Sequence, residues 1–240
     1  MSFFSITPNM LSFSAYDRYH LIVLTVIFIA FLLTIIFRKK LKNWKSEKIF
    51  KMSITSIAIL AEVSYKVWAS LAGEGVLRTI FSLDLCSISL WMAWILMFTN
   101  NKKLFSVLYF FSFGALSALL FPDIVEFGPD HYRFYQFFIV HGYIMWSVVY
   151  YIAVYGYKIK FYDYIRSVII LIPGGIFVFI IDLIFKVNFM FLRAKPPTSS
   201  PIDLLGPWPT YIFGLVIVVI VIFFIAYLPW IFINSPNKKN

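Results

Sequence analysis

The chain has 240 residues, of which 61% are apolar and 13% charged, with a mean hydropathy of +0.86 and a formal net charge of +10. These values lie outside the range of soluble domains. Several apolar runs can cross a hydrocarbon layer about 30 Å thick, which takes roughly 20 helical residues, and the alternating pattern of a barrel is absent. We therefore expect an all-α fold, a polytopic bundle of membrane helices forming one integral-membrane domain over residues 1–240.

Seven segments are predicted to span the membrane, at about 20–37, 50–72, 82–99, 104–120, 133–154, 166–186 and 210–233. Residues 1–19 carry neither a basic start nor a small-residue cleavage site, which a signal peptide requires. The first apolar segment is therefore expected to be retained as a helix.

Lys and Arg are distributed unevenly between the two sides of this bundle. One side holds 14 of them, namely Arg38, Lys39, Lys40, Lys42, Lys45, Lys48, Lys51, Lys102, Lys103, Lys158, Lys160, Arg166, Lys238 and Lys239. The other side holds six, namely Arg18, Arg78, Arg133, Lys186, Arg193 and Lys195. The positive-inside rule puts the N-terminus outside and the C-terminus in the cytoplasm.

Topology and anionic headgroups explain the basic charge, so no nucleic-acid partner is expected. The sequence pI of about 9.6 and the short loops indicate a multi-pass protein of a bacterial cell membrane.

Charged residues inside the spans are few and therefore informative. Glu62 and Lys66 lie four apart on one face of span two, in the order that favours an ion pair. Asp182 and Lys186 have the same spacing near the end of span six. The Pro-Gly-Gly triplet at residues 173–175 is expected to kink or break span six.

The only cysteine of the chain, Cys86, lies in span three beside Asp84. With a single cysteine, no intrachain disulfide is possible. Ser82, Cys86, Ser89 and Ala93 form a stripe of small residues on one helical face, which usually allows helices to approach closely. Cys86 is thus either a small buried packing residue or a nucleophile, and Asp84 is expected to be solvated near the outer surface.

A nucleophilic cysteine needs a base nearby, and the chain has three histidines. His20 and His131 lie at outer ends, whereas His141 lies inside span five, where a histidine is a functional candidate by default. Cys86 and His141 are about four and eight residues from the outer ends of their spans, so their depths differ by about 6 Å. Such a pair has the minimum parts for nucleophilic acyl transfer to and from lipid esters. No metal-ligand spacing and no nucleotide-binding motif is present, so no metal or cofactor is expected.

Residues 187–209 contain five prolines and cannot form a continuous helix. The segment is amphipathic and rich in turn formers. We expect it to lie across the outer mouth of the bundle, or to be an ordinary loop held down by its aromatic residues.

Four blocks of sequence occur in a recognisable order, namely RYHLIVL, SLDLCSISLW, FFIVHGYIMW and NFMFLRAKPPTSSPIDLLGPWPTYI. Together they resemble the YwaF-like integral membrane proteins of bacteria. Those are relatives of vertebrate transmembrane protein 164, an acyltransferase that makes polyunsaturated ether phospholipids. The resemblance runs from about residue 17 to residue 233.

The resemblance implies an acyl-enzyme mechanism in which Cys86 is the nucleophile and His141 its base. It marks Asn188 and Asp203 as residues that orient the histidine, hold the carbonyl or only fix the loop, and His20 as a headgroup contact. Asp182 is a further candidate for binding or orienting the substrate. The expected partners are membrane phospholipids, as acyl donor and as lyso- or ether-lipid acceptor.

Two other functions stay open on the sequence. Water could accept the acyl group, which would make the protein an intramembrane lipid hydrolase. A non-catalytic lipid or small-molecule transporter would use Glu62, Lys66, Asp182 and a broken span six as a translocation path, although no internal repeat is visible. The oligomeric state, and roles for Asp84 and the Glu62–Lys66 pair, do not follow from the sequence.

Overall fold

The secondary structure of the computed structural model is helical. The model describes residues 3–8, 11–73, 81–124, 126–196 and 201–234, and no β-strand occurs in these ranges. The α-helices are α1 (Arg18–Ile36), α2 (Arg38–Asn43), α3 (Glu47–Leu71), α4 (Leu85–Thr99), α5 (Lys102–Leu120), α6 (Tyr132–Ala153), α7 (Phe161–Phe185) and α8 (Thr210–Asn234). Two short 3-10 helices, Phe189–Phe191 and Pro201–Leu205, lie between α7 and α8. Arg78, Lys238 and Lys239 of the charge count lie outside the described residues.

Six of these helices are long and apolar enough to cross a membrane: α1, α3, α5, α6, α7 and α8. The prediction of a polytopic membrane helix bundle is therefore confirmed. The third predicted span is α4, which has only 15 residues. At 1.5 Å per residue it is about 22 Å long, shorter than the hydrocarbon layer. The prediction that the N-terminus faces outside stays a prediction.

The helices fall into two compact units. The first unit consists of Met1–Ser82 and Cys86–Tyr157, and the second of Leu83–Leu85 and Lys158–Asn240. The first unit therefore contains α1 to α6 apart from Leu85, whereas α7, α8 and the two 3-10 helices belong to the second.

Helix α6 forms the centre of the first unit and packs against α1, α3 and α5. Hydrogen bonds between side chains fix its register against α3. Gln136 Nε2 donates to Glu62 Oε2 at 3.3 Å, Tyr143 donates to Thr55 Oγ1 at 3.1 Å, and Tyr150 donates to Glu47 Oε1 at 2.5 Å. Residue numbers rise on α6 as they fall on α3, so the two helices are antiparallel, as expected for the second and fifth predicted spans.

Helix α1 packs along another side of α6. A Cβ atom on Gly142 would lie 3.3 Å from Ile27 Cδ1, a contact so tight that Ile27 would have to move by a few tenths of an ångström. Further along, Trp146 Nε1 donates to Thr34 Oγ1 at 3.0 Å. Gly142 thus lets α1 approach closely, as expected for small residues between membrane helices.

A buried polar cluster closes the end of the first unit that is predicted to face the cytoplasm. Lys51 is 3% exposed and donates to Asn100 Oδ1 at 2.8 Å and to the Tyr155 hydroxyl at 3.0 Å. Glu47 lies 3.9 Å from the same ammonium. Burial and the nearby Glu47 carboxylate raise the pKa of Tyr155 to about 12, so its hydroxyl keeps its proton. Asn100 adopts a left-handed φ of 52° between α4 and α5, a conformation that asparagine tolerates.

In the second unit, α7 runs without interruption from Phe161 to Phe185 although Pro173 lies inside it. Of the two outcomes predicted for residues 173–175, a kink or a break, the break does not occur, and the kink stays a prediction. Gly174 and Gly175 have open space around them, so nothing crowds this part of the helix. The segment after α7 is not a continuous helix, which confirms the prediction from its prolines. Its predicted placement across the mouth of the bundle stays a prediction.

Candidate functional site

Cys86 is the second residue of α4 and its side chain is partly buried. Ser89 and Ala93 share its helical face, three and seven residues further on, and both are fully buried in the first unit. The stripe predicted from the sequence therefore faces the interior of the unit. Ser82 lies before the helix and accepts a hydrogen bond from Ser87, so the helical part of the stripe begins at Cys86.

His141 lies in the middle of α6 and is half-buried. Its Nδ1–H donates to the carbonyl oxygen of Phe137 at 2.8 Å, and the ring packs 4.2 Å from the ring of Phe137. Because a carbonyl can only accept, the proton of the neutral ring must be on Nδ1. Nε2 therefore carries the lone pair, and no hydrogen bond to Nε2 occurs among the described residues. This is the form of histidine that can accept a proton from a nucleophile.

A hydrogen bond joins the helices of the two candidate residues further along the chain. The Tyr151 hydroxyl donates to the Leu96 carbonyl oxygen at 2.8 Å. Tyr151 lies ten residues after His141, and Leu96 lies ten residues after Cys86. Each candidate residue therefore lies about 15 Å of helix before this contact, at 1.5 Å per residue. In this structure the His141 ring bonds to Phe137 and not to Cys86.

The other two histidines are tied to the backbone through both ring nitrogens. His20 is fully buried, accepts the Tyr16 N–H at Nδ1 and donates from Nε2 to the Leu119 carbonyl, each at 2.8 Å. His131 is also fully buried, accepts the Arg133 N–H at the start of α6 and donates to the Ser5 carbonyl. His20 would have to turn away from both partners to contact a headgroup. Of the three histidines, His141 is the one with a ring nitrogen, Nε2, that makes no hydrogen bond within the described residues.

Two remaining candidates, Asn188 and Asp203, lie in the second unit and contact other residues of the segment after α7. Asn188 accepts the N–H groups of Arg193 and Ala194 and donates to the Ala194 carbonyl at 2.8 Å. Asp203 forms an ion pair with Lys195 at 3.4 Å. Of the roles that the sequence left open, these contacts correspond to fixing the loop.

Two carboxylates receive consecutive backbone N–H groups of the short 3-10 helix. Asp182 is fully buried and accepts the Phe189 N–H at Oδ1, and Asp84 accepts the Met190 N–H, each at 3.0 Å. Asp84 is therefore not simply solvated, contrary to expectation. Asp182 does not pair with Lys186, which is exposed. Instead it holds the chain that follows its own helix.

The ion pair between Glu62 and Lys66 is confirmed, with 3.1 Å between Oε1 and Nζ. Sequence reasoning missed the residues that surround it on α6, among them Arg133, Gln136 and Phe137. Their helical spacing was visible, but nothing in it showed which faces of α3 and α6 meet. No group of three or more residues suited to hold a metal ion occurs in the described ranges.

Comparison with known proteins gives a family. No curated protein and no solved structure matches the chain. A family model, described as the TMEM164 family, matches residues 12–227, which include Cys86, His141 and the segment after α7. The match covers most of the chain and agrees with the motifs that resemble transmembrane protein 164. The chain is therefore a multi-pass membrane protein that belongs to the TMEM164 family.

Proposed function

We propose that the chain is a membrane acyltransferase that moves a fatty acyl group between phospholipid and lysophospholipid, ether lipids included, through a thioester on Cys86. The observation that supports the proposal is the bond from Tyr151 to Leu96, which joins α6 to α4 ten residues after His141 and ten residues after Cys86. A site at the end of an apolar helix suits lipid esters, whose carbonyls lie where headgroup meets hydrocarbon.

The first half-reaction transfers the acyl group to the enzyme. His141 Nε2 takes the proton from the Cys86 thiol, and the thiolate attacks the ester carbonyl of the donor lipid. The tetrahedral intermediate collapses with cleavage of the ester C–O bond. The leaving alkoxide takes the proton back from His141, which yields a lysolipid and an acyl-cysteine.

The second half-reaction repeats these steps with a new acceptor. His141 takes the proton of the acceptor hydroxyl, and the oxygen attacks the thioester carbonyl. The C–S bond breaks, the new ester forms, and the sulfur recovers a proton from His141. No oxidant, metal or cofactor is needed for either half.

The start of α4 adds electrostatic support to this chemistry. Cys86 is the second residue of the helix and therefore lies in the first turn, whose N–H groups have no carbonyl partner within the helix. Such groups, with the helix dipole, stabilise a thiolate and the oxyanion of a tetrahedral intermediate.

The alternatives differ from the proposal in testable ways. A hydrolase would use the same thioester and pass the acyl group to water. A transporter was expected to use Glu62, Lys66, Asp182 and a broken span six, and the break is absent because α7 runs through Pro173.

The test is intact-mass measurement of purified protein after incubation with phospholipid. We expect wild type to gain the mass of one acyl chain, in a form cleaved by hydroxylamine. The assay is unambiguous because Cys86 is the only cysteine, so any thioester must be there. A chase with lysophospholipid should release the adduct as phospholipid, whereas release mainly as free fatty acid would indicate a hydrolase.

Cys86→Ser and Cys86→Ala are the matched variants. The alanine variant should gain no acyl mass and keep the wild-type unfolding midpoint. The serine variant should form at most a hydroxylamine-resistant ester, more slowly. A hydroxylamine-sensitive adduct on the alanine variant, or no adduct on folded wild type that binds lipid, would refute the mechanism.

A further inference from the structure

Arg133, in the first turn of α6, is half-buried between aromatic rings. Its guanidinium carbon lies 4.1 Å from the centre of the Tyr65 ring and 5.6 Å from that of Phe137. Nη1 donates to Gln136 Oε1. Two rings and an amide therefore hold the guanidinium in place, where an arginine on the protein surface would be mobile.

The groups that hold Arg133 are themselves anchored to α3. Gln136 is 3% exposed and donates to Glu62, which is 6% exposed and forms the ion pair with Lys66. The carboxylate nearest in this network is thus engaged by Lys66. Among the described residues, these bonds join one carboxylate, Glu62, to two cations, Lys66 and Arg133, the latter through Gln136.

Arg133 has no ion pair with a carboxylate within the described residues. A guanidinium has five N–H donors, and within the described residues the only hydrogen bond from the guanidinium of Arg133 is the one from Nη1 to Gln136. A partly buried cation with spare donors is stabilised by an anion, and the planar donor fork of arginine suits the oxygens of a phosphate.

The position of Arg133 relative to His141 defines which anion would fit. Arg133, Phe137 and His141 lie at intervals of four on one face of α6, and the Phe137 ring contacts both of the others. Eight residues separate Arg133 from His141, a rise of about 12 Å, and Arg133 is nearer the water. In a phospholipid the phosphate likewise lies on the water side of the ester bonds.

We propose that Arg133 binds the phosphate of the phospholipid substrate and so directs its ester bonds toward His141. The ligand class is a lipid phosphodiester, and Arg133 is a residue that selects phospholipids over neutral glycerolipids. The topology rule does not account for this arginine, because it lies on the predicted outer side, where basic residues are few. The identity of the ester as the reacting group rests on the proposed function, whereas the phosphate contact does not.

The test is a binding measurement with lipids that cannot react. Native mass spectrometry in detergent would compare a dialkyl ether phosphatidylcholine, which has no ester, with the corresponding dialkylglycerol, which has no phosphate. Arg133→Gln should weaken binding of the phosphatidylcholine at least about tenfold and leave binding of the dialkylglycerol unchanged. Arg133→Lys, which keeps the charge, should lose less.

Arg18→Gln is the matched control, since Arg18 also lies over a tyrosine ring at the start of a helix but is exposed. This variant should bind both lipids as wild type does. Equal phosphatidylcholine affinity of wild type and Arg133→Gln would overturn the proposal, and so would an equal loss of both lipids, which would mean that Arg133 acts through packing. Displacement of the lipid by millimolar inorganic phosphate would also overturn it, because the ligand would then be free phosphate.

The two proposals fail separately. If phosphatidylcholine binding depends on Arg133 but no thioester forms on Cys86, the phosphate site stands and the acyltransferase does not. If wild type and Arg133→Gln both form the thioester, and the rate depends on lipid concentration in the same way for both, the transferase stands and the role of Arg133 is refuted.

Discussion

The Nδ1–H of His141 is bonded to the carbonyl oxygen of Phe137 one turn before it on α6, at 2.8 Å. This bond leaves Nε2 as the basic nitrogen, and the Phe137 ring packs on the imidazole and limits its rotation. A histidine with a fixed tautomer and a fixed plane can take a proton in one direction only. The bond at Nδ1 and the contact with Phe137 hold the ring in place, whereas Nε2 is the atom that would act as the base. Separate mutations can therefore test the packing role and the role as a base.

The variant His141→Asn should abolish acylation without unfolding the protein. Asparagine keeps an N–H donor near the position of Nδ1, so the bond to Phe137 can be retained, but it has no basic nitrogen. Loss of a general base typically lowers the rate about 10²–10⁴-fold. The measurement is the rate of acyl-mass gain on Cys86, with the midpoint of thermal unfolding determined on the same preparation.

His20→Ala provides the opposite control. Its two ring nitrogens bond to Tyr16 and Leu119, so its removal leaves buried backbone groups unsatisfied and should lower the unfolding midpoint. The acylation rate per folded molecule should stay within about twofold of wild type. A normal rate in His141→Asn, or a lost rate in folded His20→Ala, would show that the base has been assigned to the wrong histidine.

Gly142→Leu should destabilise the first unit by overpacking against α1. Even a Cβ atom at this position would lie 3.3 Å from Ile27 Cδ1 and 3.4 Å from Cγ1, and insertion of extra carbon atoms into a packed interior costs about 1–3 kcal/mol. Ile27→Ala creates space at the same point and should recover part of that loss in the double variant. Additive effects of the two changes on the unfolding free energy would contradict the contact.

Lys51→Met should lower the stability of the end of the bundle predicted to face the cytoplasm. The change removes the hydrogen bonds to Asn100 and Tyr155 and leaves the Glu47 carboxylate without its nearby cation. Because Glu47 is partly exposed and keeps the hydrogen bonds from Tyr150 and Tyr155, the loss should be about 1–3 kcal/mol. Lys48→Met, an exposed position on the same helix, should change the unfolding free energy by less than about 0.5 kcal/mol. Equal midpoints for the two variants would show that the cluster contributes nothing.

The positions of the long helices along the chain could be predicted from the sequence, because they depend on hydrophobicity alone. Six apolar runs suffice to specify long helices because backbone groups in lipid must be satisfied within the segment. The start of α4 did not follow, since Phe81 and Leu83 extend the apolar pattern to before Leu85. The unbroken α7 was missed for a different reason: a proline in a membrane helix can be accommodated locally, so Pro173 alone does not decide between a kink and a break.

The candidate site was predictable where a residue type is rare. One cysteine and one mid-membrane histidine stand out in an apolar chain, and both could be named from the sequence. Contacts between helices could not, because many registers of α4 against α6 satisfy the same apolar pattern. The bond from Tyr151 to Leu96 and the rings around Arg133 therefore required the structure. The family signature gave Asn188 and Asp203 but not their contacts, which lie within the loop.

The variant Asp182→Asn distinguishes a structural from a substrate-directed role of this buried carboxylate. Oδ1 accepts the Phe189 N–H at 3.0 Å, whereas Oδ2 is buried with no hydrogen-bond partner in the described part of the chain. Asparagine keeps a carbonyl oxygen that can accept the Phe189 N–H. It also removes the negative charge of Asp182, which is stabilised by a hydrogen bond at only one of its two oxygens. Since a buried charge is costly unless it is fully paired, the variant should be at least as stable as wild type.

Asp182→Val has no acceptor for the Phe189 N–H and should cost about 1–3 kcal/mol. Limited proteolysis should then cut the segment 187–209 faster than in wild type or in Asp182→Asn. If Asp182 only holds this segment, Asp182→Asn should acylate at the wild-type rate. If the charge binds or orients the substrate, acylation should fall in Asp182→Asn while proteolysis stays slow, a result that the structural role does not allow.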